Sequence, residues 1–227
     1  MNSPTQTTQL DSYYACDGKH ITLYRFQPYF TDFIFQCYKN EDFISRYRLY
    51  QRQPKNKQEL HKELLTIQSL PPEMLKSIEW VIVDKATQQP IGLAGLVNYQ
   101  QLHAYAELLV GLLKSKETQH KPYGPEATLL VLEYAFQTVR LNKLISFIYA
   151  YNDKVQQSTL RLGFQQEGLL KQHILAPSGK HIDLFQNALL SEEFFASEQL
   201  TRLSQRIIGR DITQQRHAVV NILANRQ

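Results

Sequence analysis

The sequence predicts an α/β (α+β) fold: a mixed, mostly antiparallel seven-stranded sheet with helices on both faces and a helical C-terminal extension. Three observations carry this. Glu79–Asp84, Ile91–Tyr99 and Ala104–Leu113 are strand-like runs only a few residues apart, the spacing of an antiparallel meander. A helical pattern opening at residue 124, the near-continuous apolar run Leu144–Ala150 and a short second helix together read as a crossover unit. The stretch Ser146–Gly168 (SFIYAYNDKVQQSTLRLGFQQEG) gives a buried strand, an asparagine at the turn, a short helix, Leu-Gly-Phe, then Glu-Gly opening another strand.

Taken in order, residues 1–18 are rich in Thr, Gln and Ser and predict a flexible N-terminal arm. A single domain is expected over 19–195, followed by a C-terminal helical extension over 196–227. His20–Phe26 alternates as a first strand. Phe30–Tyr38 and Gln58–Ser69 read as helices, the second ending before Pro71-Pro72, and together they form a wall beside the sheet. The meander follows, its first turn at Ala86–Pro90. Gly124-Pro125-Glu126-Ala127 opens a helix through about Val139, with Pro125 at the first helical position and Glu126 near the positive helix start. Leu129, Leu132, Ala135, Phe136 and Val139 form its inward stripe. Gly168–Leu175 and His181–Leu190 close the sheet as a hairpin around Pro177-Ser178-Gly179, and Trp80 and most tyrosines are packing residues. In the tail, Leu200, Leu203 and Ile207 share a helical face and Gly209 is a stop. Asp211, with Gln214 three residues on, starts a final helix through Leu223. The tail's arginines (Arg202, Arg206, Arg210, Arg216) serve a solvated face of a packed helix or, as the alternative, a homodimer or partner-binding arm.

Composition bounds the function classes. A chain of 227 residues, 43% hydrophobic and 20% charged, is ordinary for a globular protein and buries a core without staples. The net charge of +4 permits an anionic ligand, but the core shows no concentrated basic stripe of the kind nucleic-acid binders carry. Cys16 and Cys37 lie in no CxxC and no Cys/His spacing, so neither a disulfide framework nor a metal site is predicted. No apolar run approaches the ~20 residues that span a bilayer. The start lacks a basic segment followed by an apolar stretch, so no signal peptide and a cytoplasmic location are expected.

The order and spacing of Ser146–Gly168 resemble the C-terminal half of the GNAT acyltransferase superfamily, specifically its RimJ/RimL-type branch. The resemblance covers roughly residues 18–195. It implies an acyl-CoA-dependent N-acyltransferase, moving acetyl from the cosubstrate acetyl-CoA to a primary amine of a small molecule or protein N-terminus by direct attack in a ternary complex. Neither a metal, a membrane nor a nucleic acid is implied. The family's diphosphate loop, Q/R-x-x-G-x-G/A, matches Gln119-His120-Lys121-Pro122-Tyr123-Gly124. Such a loop serves because a helix N-terminus offers unpaired N–H groups to an anion. Pro122 replaces the first glycine and removes one donor, while His120, Lys121, Tyr123 and Gly124 keep their amides; the resemblance assigns cofactor binding to these four and to Gln119.

In the family the pantetheine arm pairs with the splayed fourth strand, which assigns cofactor binding to Leu112 and Leu113 and makes Gly111 a point of close approach. Asn152, at a strand end, caps the next helix and also meets the pantetheine arm in the family. Glu107 lies in an otherwise apolar strand, where burial raises a carboxylate pKa toward that of a working general base; the other reading is an outward-facing glutamate. The family's acid tyrosine falls on Thr159 and the serine of RimL-like enzymes on Val155, leaving Ser158 and Tyr151 as substitute hydroxyls, with Ser158 the candidate acid. Asp183 matches a structural hairpin position of the branch. Pro122, Val155 and Thr159 also support a second reading, a catalytically silent GNAT-fold binding or interaction module.

Overall fold

Residues of alternating burial in the strands settle into one sheet between two helical layers. The computed structural model describes residues 14–48, 53–70, 74–113, 121–176 and 178–215. Among these, eight strands are ordered β1-β2-β3-β4-β5-β6-β8-β7. They are β1 (Tyr14–Asp17), β2 (Ile21–Arg25), β3 (Ile78–Asp84), β4 (Pro90–Gln100), β5 (Tyr105–Leu112), β6 (Lys143–Tyr149), β7 (Gln165–Leu175) and β8 (His181–Leu190). Every pairing is antiparallel except β5 with β6, where the chain crosses over.

The expected count of seven strands is therefore short by one. The addition is β1, cut from the segment read as an arm. Four residues carry no period of their own; β1 is held by its partner strand and by ties at Asp17, whose carbonyl accepts from Arg210 Nη1 (3.0 Å) and whose carboxylate meets Lys85 Nζ (2.6 Å).

Alternation along β3 explains its continuous apolar look. Trp80 and Ile82 enter one core, and Val81 and Val83 the other. The second core lies under α1 (Thr31–Lys39), α2 (Glu41–Tyr47) and α3 (Lys57–Ser69). The first lies under α4 (Tyr123–Glu133), which runs on through a π-helical stretch to Val139 and stops at Arg140, where φ is +61°. Helix α4 begins two residues before the expected start: Pro122 is its N-cap and Pro125 its third residue, a position whose N–H also has no intrahelical partner. Glu126 does more than face the helix dipole. It is fully buried and accepts from His20 N (2.7 Å), His20 Nδ1 (2.8 Å) and Ile21 N (3.3 Å), which ties α4 to the start of β2. A Cβ on Gly18 would stand 2.3 Å from Glu126 Oε1, so this crossing requires glycine.

Helix α5 (Asp153–Arg161) follows β6, and α6 (Ser191–Ala196) and α7 (Glu198–Ile208) follow β8. Gly209 ends α7 at φ +78°, as its sequence predicts. The helix expected to start at Asp211 is not made over 211–215. Asp211 Oδ1 instead accepts from Thr213 N (2.8 Å) and Thr213 Oγ1 (2.7 Å), a local turn that competes with helix initiation. Residues 216–223 of that expectation lie outside the described residues. No helix among the described residues is long and apolar enough to cross a membrane.

Candidate active site

The parallel pair β5 and β6 is joined at only three registers, Tyr105 with Lys143, Ala106 with Leu144 and Glu107 with Ile145. Beyond them the strands diverge, although β5 stays paired with β4 as far as Leu112 and β6 with β8 as far as Tyr149. The divergence opens a cavity of about 520 Å³ bounded by Leu108–Leu112 on one side and Ser146–Tyr149 on the other. Helices α4 and α5 wall it on one face of the sheet and α2 on the other.

Peptide groups of both strands turn toward this wedge. Leu113 N donates to Ile91 O (2.9 Å), so odd-numbered peptides of β5 face β4, and those of Leu108, Val110 and Leu112 face the opening. On β6, Ala150 N donates to Asp183 O (3.0 Å), which turns the peptides of Phe147 and Tyr149 toward the opening; Tyr149 O is taken by Asn152 N (2.8 Å). An extended ligand with amides of its own can pair with such edges as an added strand does.

At the α4 end, Gly124 and Thr128 line the cavity. Pro122 and Pro125 have no N–H, and Glu126 N donates to Pro122 O (2.9 Å). The first turn of α4 therefore offers the amides of Tyr123 and Gly124. The Tyr123 side chain points elsewhere: it is 1% exposed, its hydroxyl donates to Asp84 Oδ2 (2.7 Å), and it accepts from Lys121 Nζ (2.8 Å). Lys121 Nζ also lies 3.8 Å from Asp84 Oδ2, so its charge is engaged behind the turn. Burial pushes the Asp84 carboxyl up, but hydrogen bonds from Tyr123 and Ala86 N and the Lys121 charge outweigh it and hold Asp84 below the ordinary carboxylate range. Burial in turn raises the Tyr123 phenol.

The sequence-predicted site residues divide. Leu112, Gly124, Asn152 and Ser158 line the cavity. Asn152 forms no side-chain cap; its backbone carbonyl accepts the first bonds of α5, from Val155 N (3.0 Å) and Gln156 N (3.1 Å), so its side-chain amide is not used in capping. Ser158 Oγ donates to Lys154 O (2.8 Å). Leu113 does not line the cavity: its N–H serves Ile91, and its side chain packs in the α1–α3 core. Tyr123 does not line the cavity either. Glu107 stands at the last joined register, the apex of the wedge, on the face that carries α2. It is 3% exposed, accepts from Asn98 Nδ2 (2.7 Å), and does not itself line the cavity. Gln119 and His120 lie outside the described residues.

Sequence reasoning missed three supports. Helix α2, which brings Asp42, Phe43, Arg46 and Tyr47 to the cavity, had a usable signal in Asn40 followed by Glu41-Asp42, an N-cap with acids in the first turn; Asn40 Oδ1 accepts from Phe43 N (2.9 Å). Tyr151 OH donates to Ser45 O (2.5 Å) and joins the β6–α5 turn to α2 across the opening. Below α5, Gln156 and Asn187 exchange two hydrogen bonds (2.8 and 2.9 Å), and Asn187 Nδ2 also donates to Ser146 O (3.2 Å), a buried polar lock that no local pattern announces. Among the described residues no cluster of His, Cys, Asp or Glu is arranged to hold a metal.

A mixed sheet whose central parallel strands part beside a helix N-terminus defines an acyl-CoA-dependent transferase. The family described as acetyltransferase (GNAT) domain matches residues 20–165, and the chain belongs to it. It is an N-acetyltransferase of the GNAT type that uses acetyl-CoA as cosubstrate. An uncharacterized N-acetyltransferase of Bacillus subtilis, YoaA, is 25% identical over 143 residues, 62% of this chain and 77% of that protein. A second, p20 of Bacillus licheniformis, is 28% identical over 113 residues, 50% of this chain and 62% of its own. Among solved structures, spermidine N-acetyltransferase from Vibrio cholerae in complex with CoA and spermine shares the fold at a TM-score of 0.67 and 21% identity, over 77% of this chain and 97% of that one.

Proposed function

We propose that the wedge between β5 and β6 holds acetyl-CoA and a primary amine together, and that the acetyl group passes by direct attack in the manner of the RimJ/RimL-type branch. The observation that carries this reading is the end of β5–β6 pairing at Glu107 and Ile145, with a cavity of about 520 Å³ beyond it. The diphosphate rests on the Tyr123 and Gly124 amides. The pantetheine arm pairs with the free peptide edge at Leu108, Val110 and Leu112, and the Asn152 side-chain amide meets it from the start of α5. A free N–H on that edge polarises the thioester carbonyl. The amine nitrogen bonds to the acetyl carbon as the carbon–sulfur bond breaks; the amine's proton leaves to Glu107, the thiolate takes one from Ser158, and solvent water then returns a proton to the serine while Glu107 releases its own to solvent. Glu107 is screened from the cavity, so its proton arrives through an intervening water. Ser158 first swings from Lys154 O, a fast rotamer change on a helix surface.

The silent-module reading is not favoured, because the wedge is open and the peptides of Leu108, Val110 and Leu112 face it. Calorimetric titration with acetyl-CoA, joined to a thiol-release assay over a panel of primary amines, tests the reading. Saturable binding and amine-dependent release are expected. Binding without release for every amine would overturn it.

A further inference from the structure

The chemistry of the acceptor is written on α2. This inference rests on the reading above: with acetyl-CoA held by residues of α4, α5 and β5, the α2 end of the wedge is left for the amine. Among the described residues that line the cavity, those with charged side chains are Asp42 and Arg46. They lie one helical turn apart and meet as a fork, Arg46 Nη2 to Asp42 Oδ1 at 2.7 Å and Nη1 to Asp42 Oδ2 at 3.0 Å. Both side chains are about half exposed, so the couple adds little to stability and a ligand exchanges it readily.

A polycationic acceptor gains nothing from this arrangement. Its ammonium groups would find one carboxylate already neutralised, with a guanidinium repelling them from beside it. A molecule that carries an anion and a cation satisfies both partners, because each ion of the resident pair is replaced by an equivalent one. The planar guanidinium fork takes a carboxylate in bidentate geometry. Phe43 and Tyr47 behind the pair, and Phe147 and Tyr149 opposite, supply apolar walls for the rest of the molecule.

We infer that the acceptor is an amine that also bears a carboxylate, of amino-acid type, its carboxylate bound by Arg46 and a cationic or N–H group by Asp42. This sets the chain apart from polyamine acetylation despite the fold it shares with a spermidine N-acetyltransferase.

Matched acceptors test it: lysine against 1,5-diaminopentane, phenylalanine against phenethylamine, and spermidine as polycation. The carboxylated member of each pair is expected to be favoured in kcat/KM by about tenfold or more, the scale of a bidentate charged contact. Arg46→Gln removes that preference through the acceptor KM, leaving the KM for acetyl-CoA unchanged, and Arg46→Lys restores it in part. Equal or better use of the amines that lack a carboxylate, or an equal loss for both members in Arg46→Gln, overturns this inference alone. Failure of every amine to release thiol overturns the proposed function with it.

Discussion

A carboxylate in the interior of an apolar strand needs either a partner or a purpose, and Glu107 has the first in Asn98. Its position at the apex of the wedge argues for the second. Glu107→Gln keeps the shape and the bond from Asn98 but cannot take a proton, so it separates the two roles. Turnover is expected to fall by about 10²-fold, the lower end of what a general base contributes. Acetyl-CoA affinity by calorimetry and the melting temperature should stay at wild-type values. Turnover within a factor of about two of wild type would remove Glu107 as the base and leave it a packing residue. The sequence pointed to Glu107 through its apolar neighbours, yet the neighbours could not tell whether the carboxylate opens into the cavity or lies behind it. Leu112 and Leu113 show the same limit. Adjacent peptides in a strand face opposite edges, and only the register with Ile91 shows which one is free.

At the scale of elements, long periodic segments were legible and short ones were not. Helix α3 and strands β2 to β6 fall within a few residues of their expected places, because their apolar period matches the layer they pack against. Strand β1 and helix α2 were missed, since four and seven residues hold too little period to register, and both depend on partners distant in sequence. The start of α4 was misjudged because two prolines compete for the N-terminus. The turn there is instead anchored from behind, by Asp84 receiving the Tyr123 hydroxyl beside the Lys121 ammonium. Asp84 is held below the ordinary carboxylate range in the fold, so the unfolded chain binds its proton more readily. Its contribution is thus complete well above the unfolded value and fades as pH falls through the ordinary carboxylate range toward the folded one. Asp84→Asn should lower stability at pH 7 by about 1–3 kcal/mol, the cost of weakening a buried hydrogen-bonded partner. Urea midpoints at pH 7 and pH 3 check the sign. The gap between wild type and variant should narrow at pH 3, and a gap that is constant or wider there contradicts the assignment.

For the whole molecule, the open question in the sequence was whether the C-terminal extension belongs to the domain or reaches outward. Leu200, Ile208 and Ile212 join the same core as Trp80 and Leu130. Leu203 and Ile207, the residues on which a homodimer through these helices would draw, pack against that core as well. Polar ties finish the closure. Arg210 forks onto Glu133 of α4 (2.6 Å at the shortest) and onto Asp17 O of β1, while Gln137 donates to Ile212 O (2.9 Å) and Gln214 O (2.7 Å). One arginine thus joins the last described segment, the first strand and the helix whose N-terminus faces the cavity. Arg210→Ala leaves the nearly buried Glu133 carboxylate without its guanidinium and frees the β1 edge. Breaking a buried pair costs about 3–5 kcal/mol, and because Arg210 is partly solvated the expected loss is lower, about 1–3 kcal/mol. The wedge lies at the other end of α4, so turnover per folded molecule should hold while the urea midpoint drops. An unchanged midpoint would mean the extension is an appendage rather than part of the fold, and a loss of turnover at unchanged stability would mean it reaches the site by a route these contacts do not describe.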